Sequence, residues 1–168
     1  MVFLLYIVIV IKLTFFKGVI GTIKYDKMPS LPLKFRVYAM QLVPFRTITS
    51  YFVRDESFET HFKQLSSSQK IEFVIQNLLG NIILFIPLGI LLPLLYRGIK
   101  SGTAISVIAF LGSLLIEACQ LILNRGVFDV DDLILNTLGG LIGYGILVIV
   151  KRYQKSKVLH RPAKASGK

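Results

Sequence analysis

Hydrophobic residues in this chain come in four long blocks, and polar residues fill the segments between them. A helix needs about 20 predominantly apolar residues to cross the hydrocarbon core of a bilayer. The pattern therefore predicts spans over about residues 2–23, 77–96, 103–123 and 133–150. The expected fold class is all-α: a polytopic membrane protein whose four-helix transmembrane bundle has a long loop between helices 1 and 2.

The first block is the least regular of the four. Lys12 and Lys17 interrupt it, so a helix over 2–23 must carry Lys12 within the membrane, snorkelling or facing the bundle. A truncated or misassigned start is the alternative. No basic stretch precedes the block and no small-residue cleavage site follows it, so we interpret it as a retained helix rather than a secretory signal.

The long connection over 24–76 is polar, but apolar and basic residues mix in its stretch 41–53. That mixture is typical of a segment lying on the membrane surface, with an ordinary loop as the alternative. The serines at 66–68 predict a turn or a helix cap before Ile71.

Prolines and glycines modify the predicted helices. Pro87 and Pro93 predict a bend or a locally loosened helix in the second block. Gly139 and Gly143 lie four residues apart in the fourth block, which predicts a smooth helix face for close packing.

Composition agrees with a membrane location. The chain of 168 residues is only 17% charged, against about 25% in a typical soluble domain. A net charge of +11 would suit nucleic-acid binding, but the bases lie between and after the apolar blocks, so nucleic acid is not an expected partner. A single cysteine, Cys119, allows no internal disulfide and is interpreted as a small packed residue.

Charges in the short connections orient the spans. Arg97 and Lys100 lie between the second and third blocks without an acid, whereas three aspartates accompany Arg125 in 124–132. The positive-inside rule therefore predicts a multi-pass cell-membrane protein with its C-terminus in the cytoplasm.

The chain divides into two parts. Residues 1–150 form the membrane domain, and residues 151–168 contain seven Lys or Arg and no acid. This composition predicts a basic cytoplasmic tail without fixed structure, which anchors the topology or contacts anionic headgroups.

Polar residues near one end of the predicted spans form the candidate site. Consecutive spans alternate in direction, so the start of the second, the end of the third and the start of the fourth meet at one membrane face. Residues three or four apart share a helix face, which groups Asn77 with Asn81, and Glu117 with Gln120 and Asn124. The predicted ligand-binding residues are Asn77, Asn81, Glu117, Gln120, Arg125, Asp129, Asp131, Asp132 and Asn136.

Glu117 needs a partner, because an ionisable group at membrane depth costs roughly 2.5–3.5 kcal/mol. Arg125 is the expected partner, with Asn81 or Asn136 as hydrogen-bond donors. His61 and His160 lie far away in polar segments, and the aspartates of the 124–132 loop lack the Gly and distant Glu of a calcium loop. We therefore assign no catalytic residue, metal or cofactor.

The order and spacing of several short motifs resemble the VanZ-like family. These motifs are Leu42-Val-Pro44-Phe45, Asn81-Ile-Ile-Leu-Phe-Ile-Pro87-Leu-Gly89, Leu92-Pro93, Glu117-Ala-Cys-Gln120, Arg125, Asp129-Val-Asp131-Asp132, Asn136-Thr137 and Gly140. Gln41 stands where the family's Asn-Leu-Ile-Pro-Phe element has its Asn. Over about residues 1–150, the resemblance implies a bacterial membrane protein with several helices. It also implies an association with resistance to teicoplanin, a lipid-bearing glycopeptide antibiotic, but no reaction.

Three functions stay open. We favour a non-enzymatic binder of an envelope lipid, a wall precursor or an amphipathic glycopeptide, in which Arg125 meets an anionic headgroup. The first alternative is a membrane-embedded enzyme acting on a lipid or lipid-linked wall precursor, with Glu117 or Asp132 as base and Mg²⁺ or Ca²⁺ held by the loop. The second is a structural or accessory subunit, whose polar residues tie helices together while Asp131 or Asp132 caps the fourth helix. A transporter would require a homo-oligomer.

Overall fold

The structure, a computed structural model, describes residues 1–15, 37, 40–45, 49, 67–123, 125, 126 and 128–159. Its helices are α1 (Val2–Phe15), α2 (Ser67–Leu95), α3 (Gly102–Ile122) and α4 (Val130–Leu159). No strand is formed within the described residues, which confirms the all-α class. Several sequence predictions lie outside the described residues, namely residues 16–23 of the first helix, most of the 24–76 connection with His61, Asn124, and the tail from His160 onward.

Within the described part of the chain, three helices have the length and composition of membrane spans. They are residues 77–95 within α2, the whole of α3, and residues 130–157 within α4. At 1.5 Å per residue, the 21 residues of α3 extend about 31 Å, which matches a hydrocarbon core of about 30 Å. The described part of α1 is apolar but has 14 residues, about 21 Å. A membrane location therefore follows from the three long helices.

Two helices extend beyond the boundaries that hydropathy predicts. α2 begins at Ser67, ten residues before the predicted span, within the serine cluster expected to cap it. α4 runs from Val130 to Leu159, so the first nine residues of the predicted unstructured tail are helical. Hydropathy marks the part of a helix that suits lipid, whereas a helix satisfies its own backbone hydrogen bonds and can continue into water.

α4 lies at the centre of the bundle. It packs most extensively against α2 and next against α3, whereas α2 and α3 meet at few places. α1 packs lightly on α2, where the Tyr6 hydroxyl donates to the Leu84 carbonyl at 3.0 Å. The ring of Phe3 meets that of Tyr96 edge-on, with centroids 6.2 Å apart. The start of α1 therefore lies beside the end of α2, and the two helices run in opposite directions.

Glycine lets α4 approach α2 at backbone distance. A Cβ atom on Gly139 would lie 2.2 Å from the Ile82 carbonyl oxygen, and one on Gly143 would lie 2.1 Å from the Ile86 carbonyl oxygen. On the other helix, a Cβ atom on Gly89 would lie 2.0 Å from a carbonyl oxygen of α4. The predicted close-packing face of the fourth helix is confirmed, and its partner is α2.

The buried face of each long helix changes from apolar at one end to polar at the other. On α3, Ile105 and Ala109 are followed by Ser113, Glu117 and Gln120. Because α2 and α4 run opposite to α3, their polar stretches fall at the same end of the bundle. We call this the polar end, and its residues are Asn81, Ser113, Glu117, Gln120, Asp129, Asp131, Asp132 and Asn136.

Candidate functional site

The polar end is organised around the first turn of α4. Asp129 accepts a hydrogen bond from the backbone N–H of Asp131 at 2.8 Å, which is the geometry of a residue that caps a helix. The carboxylate satisfies a donor that the helix itself leaves free, and its negative charge suits the positive end of the helix dipole. Asp131 and Asp132 lie in the first turn of α4, next to its N-terminus as predicted, and the side chain that accepts the backbone hydrogen bond there is that of Asp129.

A segment from the long connection, residues 40–45, docks onto this turn. The backbone N–H of Gln41 donates to the Phe128 carbonyl at 2.9 Å, and Val130 N–H donates to the Gln41 carbonyl at 3.0 Å. These bonds make an isolated parallel bridge between Gln41 and Asp129. We call residues 40–45 the docked loop. The sequence assigned none of its residues to the site, although the family resemblance includes Leu42–Phe45.

A second attachment of the docked loop uses a buried carboxylate. Phe45 donates its backbone N–H to Asp131, a residue only 1% exposed. Phe45 has φ of 65°, in the left-handed region, which costs a residue with a side chain about 1–2 kcal/mol. The side chains of Leu42, Val43 and Phe45 remain exposed. The docked loop therefore exposes apolar side chains while its backbone is hydrogen-bonded to the start of α4.

Asn81 and Asp132 connect α2 to α4. The side-chain amide of Asn81 donates to the carboxylate of Asp132, and Asn81 is buried. Asn77 lies one helical turn earlier on α2 and is half-buried. The predicted meeting of the second and fourth helices through these polar groups is confirmed.

Glu117 has a different partner from the one expected. Its carboxylate accepts the backbone N–H of Asp129 at 3.1 Å and is buried, with 2% exposure of the residue. The described side chains of Glu117 and Arg125 form no ion pair with each other, so that expectation is wrong. The way in which α3 ends explains this difference. Arg125 N–H donates to the carbonyl of Gln120, five residues earlier, at 2.9 Å, as in the Schellman motif that terminates many helices. The chain turns there and Arg125 is exposed.

Two further contacts involve residues that sequence reasoning missed. The amide nitrogen of Asn136 donates to the Ser113 hydroxyl at 2.8 Å, and Ser113 is fully buried. The amide nitrogen of Gln120 donates to the carbonyl of Thr14, at the end of α1, at 3.0 Å. Ser113 lies one turn before Glu117 on the same face, so its position was readable from spacing. Thr14 could not be found that way, because helix pairing is not encoded in periodicity.

The site therefore has an inner network and an outer rim. Within the described part of the chain, the Oδ1 atom of Asn136 is buried without a hydrogen-bond partner, and such an atom costs about 1–3 kcal/mol unless a donor reaches it. Arg125 lies exposed at the rim. Among the residues that the structure describes, no three acidic, His or Cys side chains are arranged to hold a metal ion. The arrangement offers donors and acceptors inside, and a cation with apolar side chains outside.

Two comparisons with known proteins found a match to this chain. Protein VanZ of Enterococcus faecium is 31% identical over 86 residues, which cover 51% of this chain and 53% of that protein. The aligned part therefore spans about half the length of this relative. No solved structure matches the chain significantly. The family model described as VanZ/LLP1 matches residues 3–151, a range that includes all of the polar end. The chain belongs to the VanZ/LLP1 family.

Proposed function

We propose that this protein is a non-enzymatic binder of an amphipathic envelope ligand at the outer face of the cell membrane. The ligand class is an envelope lipid, a lipid-linked wall precursor or a lipid-bearing glycopeptide. One observation carries the proposal: at the same end of the membrane spans, a buried polar network is bonded to a loop that exposes apolar side chains, and α3 ends next to the exposed Arg125. An amphiphile with a polar head and a lipid tail matches that combination.

We extend the proposal to a four-span topology with α1 as the first span. The start of α1 packs near Tyr96, at the end away from the polar end, and the Thr14 carbonyl accepts a hydrogen bond from Gln120 at the polar end. These two contacts support a path for α1 from one end of the bundle to the other. The end away from the polar end carries Arg97, Lys100 and the basic last turns of α4. By the positive-inside rule this end, with the C-terminus, faces the cytoplasm, and the polar end faces outward.

The side chains divide into those that hold the site and those available to a ligand. Asn81, Glu117, Asp131 and Asp132 each make a hydrogen bond that ties two parts of the fold together. We assign them the role of positioning residues. Among the described contacts, Arg125 contributes its backbone N–H to the fold, and its side chain is exposed, which makes its guanidinium available to a headgroup.

Arg125 gives the proposal its chemistry. A guanidinium binds phosphate or carboxylate through two parallel N–H···O bonds, which gives both affinity and orientation. The exposed Leu42, Val43 and Phe45 then offer apolar surface to the lipid part of the same ligand. Recognition of both parts would separate a lipid-bearing glycopeptide from a glycopeptide without a lipid tail. This links the site to the teicoplanin resistance that the family resemblance implies.

The test is ligand binding to the purified protein in nanodiscs of uncharged lipid. The probes are teicoplanin and a lipid-linked wall precursor, each compared with the same headgroup lacking its lipid tail. The Arg125→Gln variant should bind at least about 10-fold more weakly, since hydrogen bonds to charged groups contribute about 1.5–3 kcal/mol. Arg97→Gln, an exposed base at the opposite end, is the matched control and should bind like wild type.

Two outcomes would count against the proposal. Equal binding by wild type and Arg125→Gln would remove the proposed headgroup contact. Equal binding of tailed and tailless probes would remove the apolar contact. Conversion of the precursor during incubation would instead support the enzyme alternative.

A further inference from the structure

The end of the bundle opposite the polar end carries a cluster of basic residues. We call it the basic end, and its residues are Arg97, Lys100, Lys151, Arg152, Lys155 and Lys157. All six are exposed, and residues 96–101 and 149–159 contain no acid. Within these two described segments no carboxylate neutralises the cluster, so it presents a concentrated positive charge that suits an anionic partner.

The fold holds these bases in place. α4 continues without interruption to Leu159, so the four bases after Val150 lie on a helix that extends from the bundle. The Tyr144 hydroxyl donates to the Lys100 carbonyl at 2.6 Å, which fastens the turn between α2 and α3 to α4. The ammonium group of Lys157 lies 4.8 Å from the ring centroid of Tyr153, a cation–π distance.

Depth in the membrane follows from helix lengths. α3 begins at Gly102, and its length of about 31 Å fills the hydrocarbon core, so the Lys100 turn lies at the edge of that core. Tyr144 contacts this turn. Lys151 lies seven residues further along α4, about 10 Å beyond Tyr144. The headgroup layer is roughly 5–8 Å thick.

The direction of the side chains on α4 places the charged groups of its bases nearer to the bilayer than their Cα atoms. Side chains on a helix lean toward its N-terminus. On α4 that direction points back to the bilayer, because α4 enters from the polar end. The side chains of Lys151 and Arg152, whose Cα atoms lie about 10–12 Å beyond that of Tyr144, therefore extend toward the headgroup layer rather than away from it.

We propose that the basic end is a binding surface for the phosphates of anionic phospholipids in the leaflet next to it. Clusters of four to eight bases beside a membrane span attract anionic lipid, with about 1 kcal/mol for each base near the surface. This surface does not depend on the ligand of the polar end. A basic end that only sets the topology would show no preference among lipid headgroups, so the two roles can be separated.

The natural absence of tryptophan provides the experiment. A Tyr96→Trp substitution places a single fluorophore next to Arg97 at the edge of the hydrocarbon core, and Leu111→Trp places one in the middle of α3. Each variant is reconstituted with phosphatidylglycerol or phosphatidylcholine that carries bromine on its acyl chains, which quenches tryptophan only on contact within the hydrocarbon. Tyr96→Trp should show about a 5-fold preference for phosphatidylglycerol, the effect of one base, and Leu111→Trp should show none.

Removing charge should remove the preference. Adding Lys100→Gln and Lys151→Gln to Tyr96→Trp should lower the preference below about 2-fold, whereas Lys100→Arg with Lys151→Arg should keep it. Raising the salt concentration should also reduce the wild-type preference, a check that requires no further variant. An equal response to both lipids at Tyr96→Trp, or a preference unchanged by the Gln substitutions, would overturn the proposal.

Discussion

The close contact between α2 and α4 can be tested with a single methyl group. A Cβ atom on Gly143 would lie 2.1 Å from the Ile86 carbonyl oxygen, more than 1 Å inside the shortest ordinary contact of 3.4 Å. The obstacle is backbone, so no side-chain rotation can relieve it, and the two helices must separate. Overpacking costs typically about 1–3 kcal/mol. We expect Gly143→Ala to lower the free energy of unfolding by about 2–3 kcal/mol.

Gly145 provides a matched control on the same helix. A Cβ atom there meets nothing within 4 Å. Because alanine favours a helix over glycine by up to about 1 kcal/mol, Gly145→Ala should leave the stability unchanged or raise it slightly. Both variants can be compared by reversible unfolding in mixed detergent micelles. Equal stability of the two alanine variants would refute the close approach of α2 and α4.

Two further pairs of substitutions test the packing of the polar end. Phe45→Gly and Phe45→Ala both keep the backbone N–H bond to Asp131, but only glycine relieves the left-handed backbone penalty, so the free energy of unfolding of Phe45→Gly should equal or exceed that of Phe45→Ala. A less stable glycine variant would contradict the strained turn. Ser113→Ala removes the acceptor of the Asn136 amide and should lower the free energy of unfolding by about 1–3 kcal/mol. Adding Asn136→Leu should recover most of that loss, because both polar groups are then gone. Additive losses in the same unfolding assay would contradict this pairing.

Hydropathy predicted the middle of the fold better than its ends. α3 lies within one residue of the predicted 103–123, because its apolar residues begin and end with the helix. Hydropathy alone placed the start of the second span ten residues too late, although the serines at 66–68 indicated the helix start that the structure has at Ser67. The end of α4 at Leu159 was missed, since its last turns are polar. A polar helical segment next to a span looks like a loop when only hydropathy is considered, although its backbone hydrogen bonds continue those of the span.

The site was predictable where it depended on helix direction. Alternating spans place Asn81, Glu117 and Asn136 at one end, whatever the details of packing. The binding role of these residues stays a prediction. The loop from 40 to 45 was not assigned to the site, because its return depends on backbone bonds to Phe128 and Val130 that leave no periodic signal. The Glu117–Arg125 pair failed for a similar reason, since a backbone N–H served the carboxylate instead.

The bond between Asn81 and Asp132 joins two separated spans at the polar end, so its strength tests the convergence most directly. A double-mutant cycle with Asn81→Ala and Asp132→Ala measures the coupling as the departure from additive unfolding free energies. Hydrogen bonds between membrane helices average about 0.6 kcal/mol and reach about 1.7 kcal/mol. We predict a coupling of about 1 kcal/mol for this pair. Asn81→Ala combined with Ser101→Ala, a helix cap at the far end, should be additive within about 0.5 kcal/mol. A coupling between Asn81 and Asp132 no larger than that of the distant pair would contradict the meeting of the spans at the polar end.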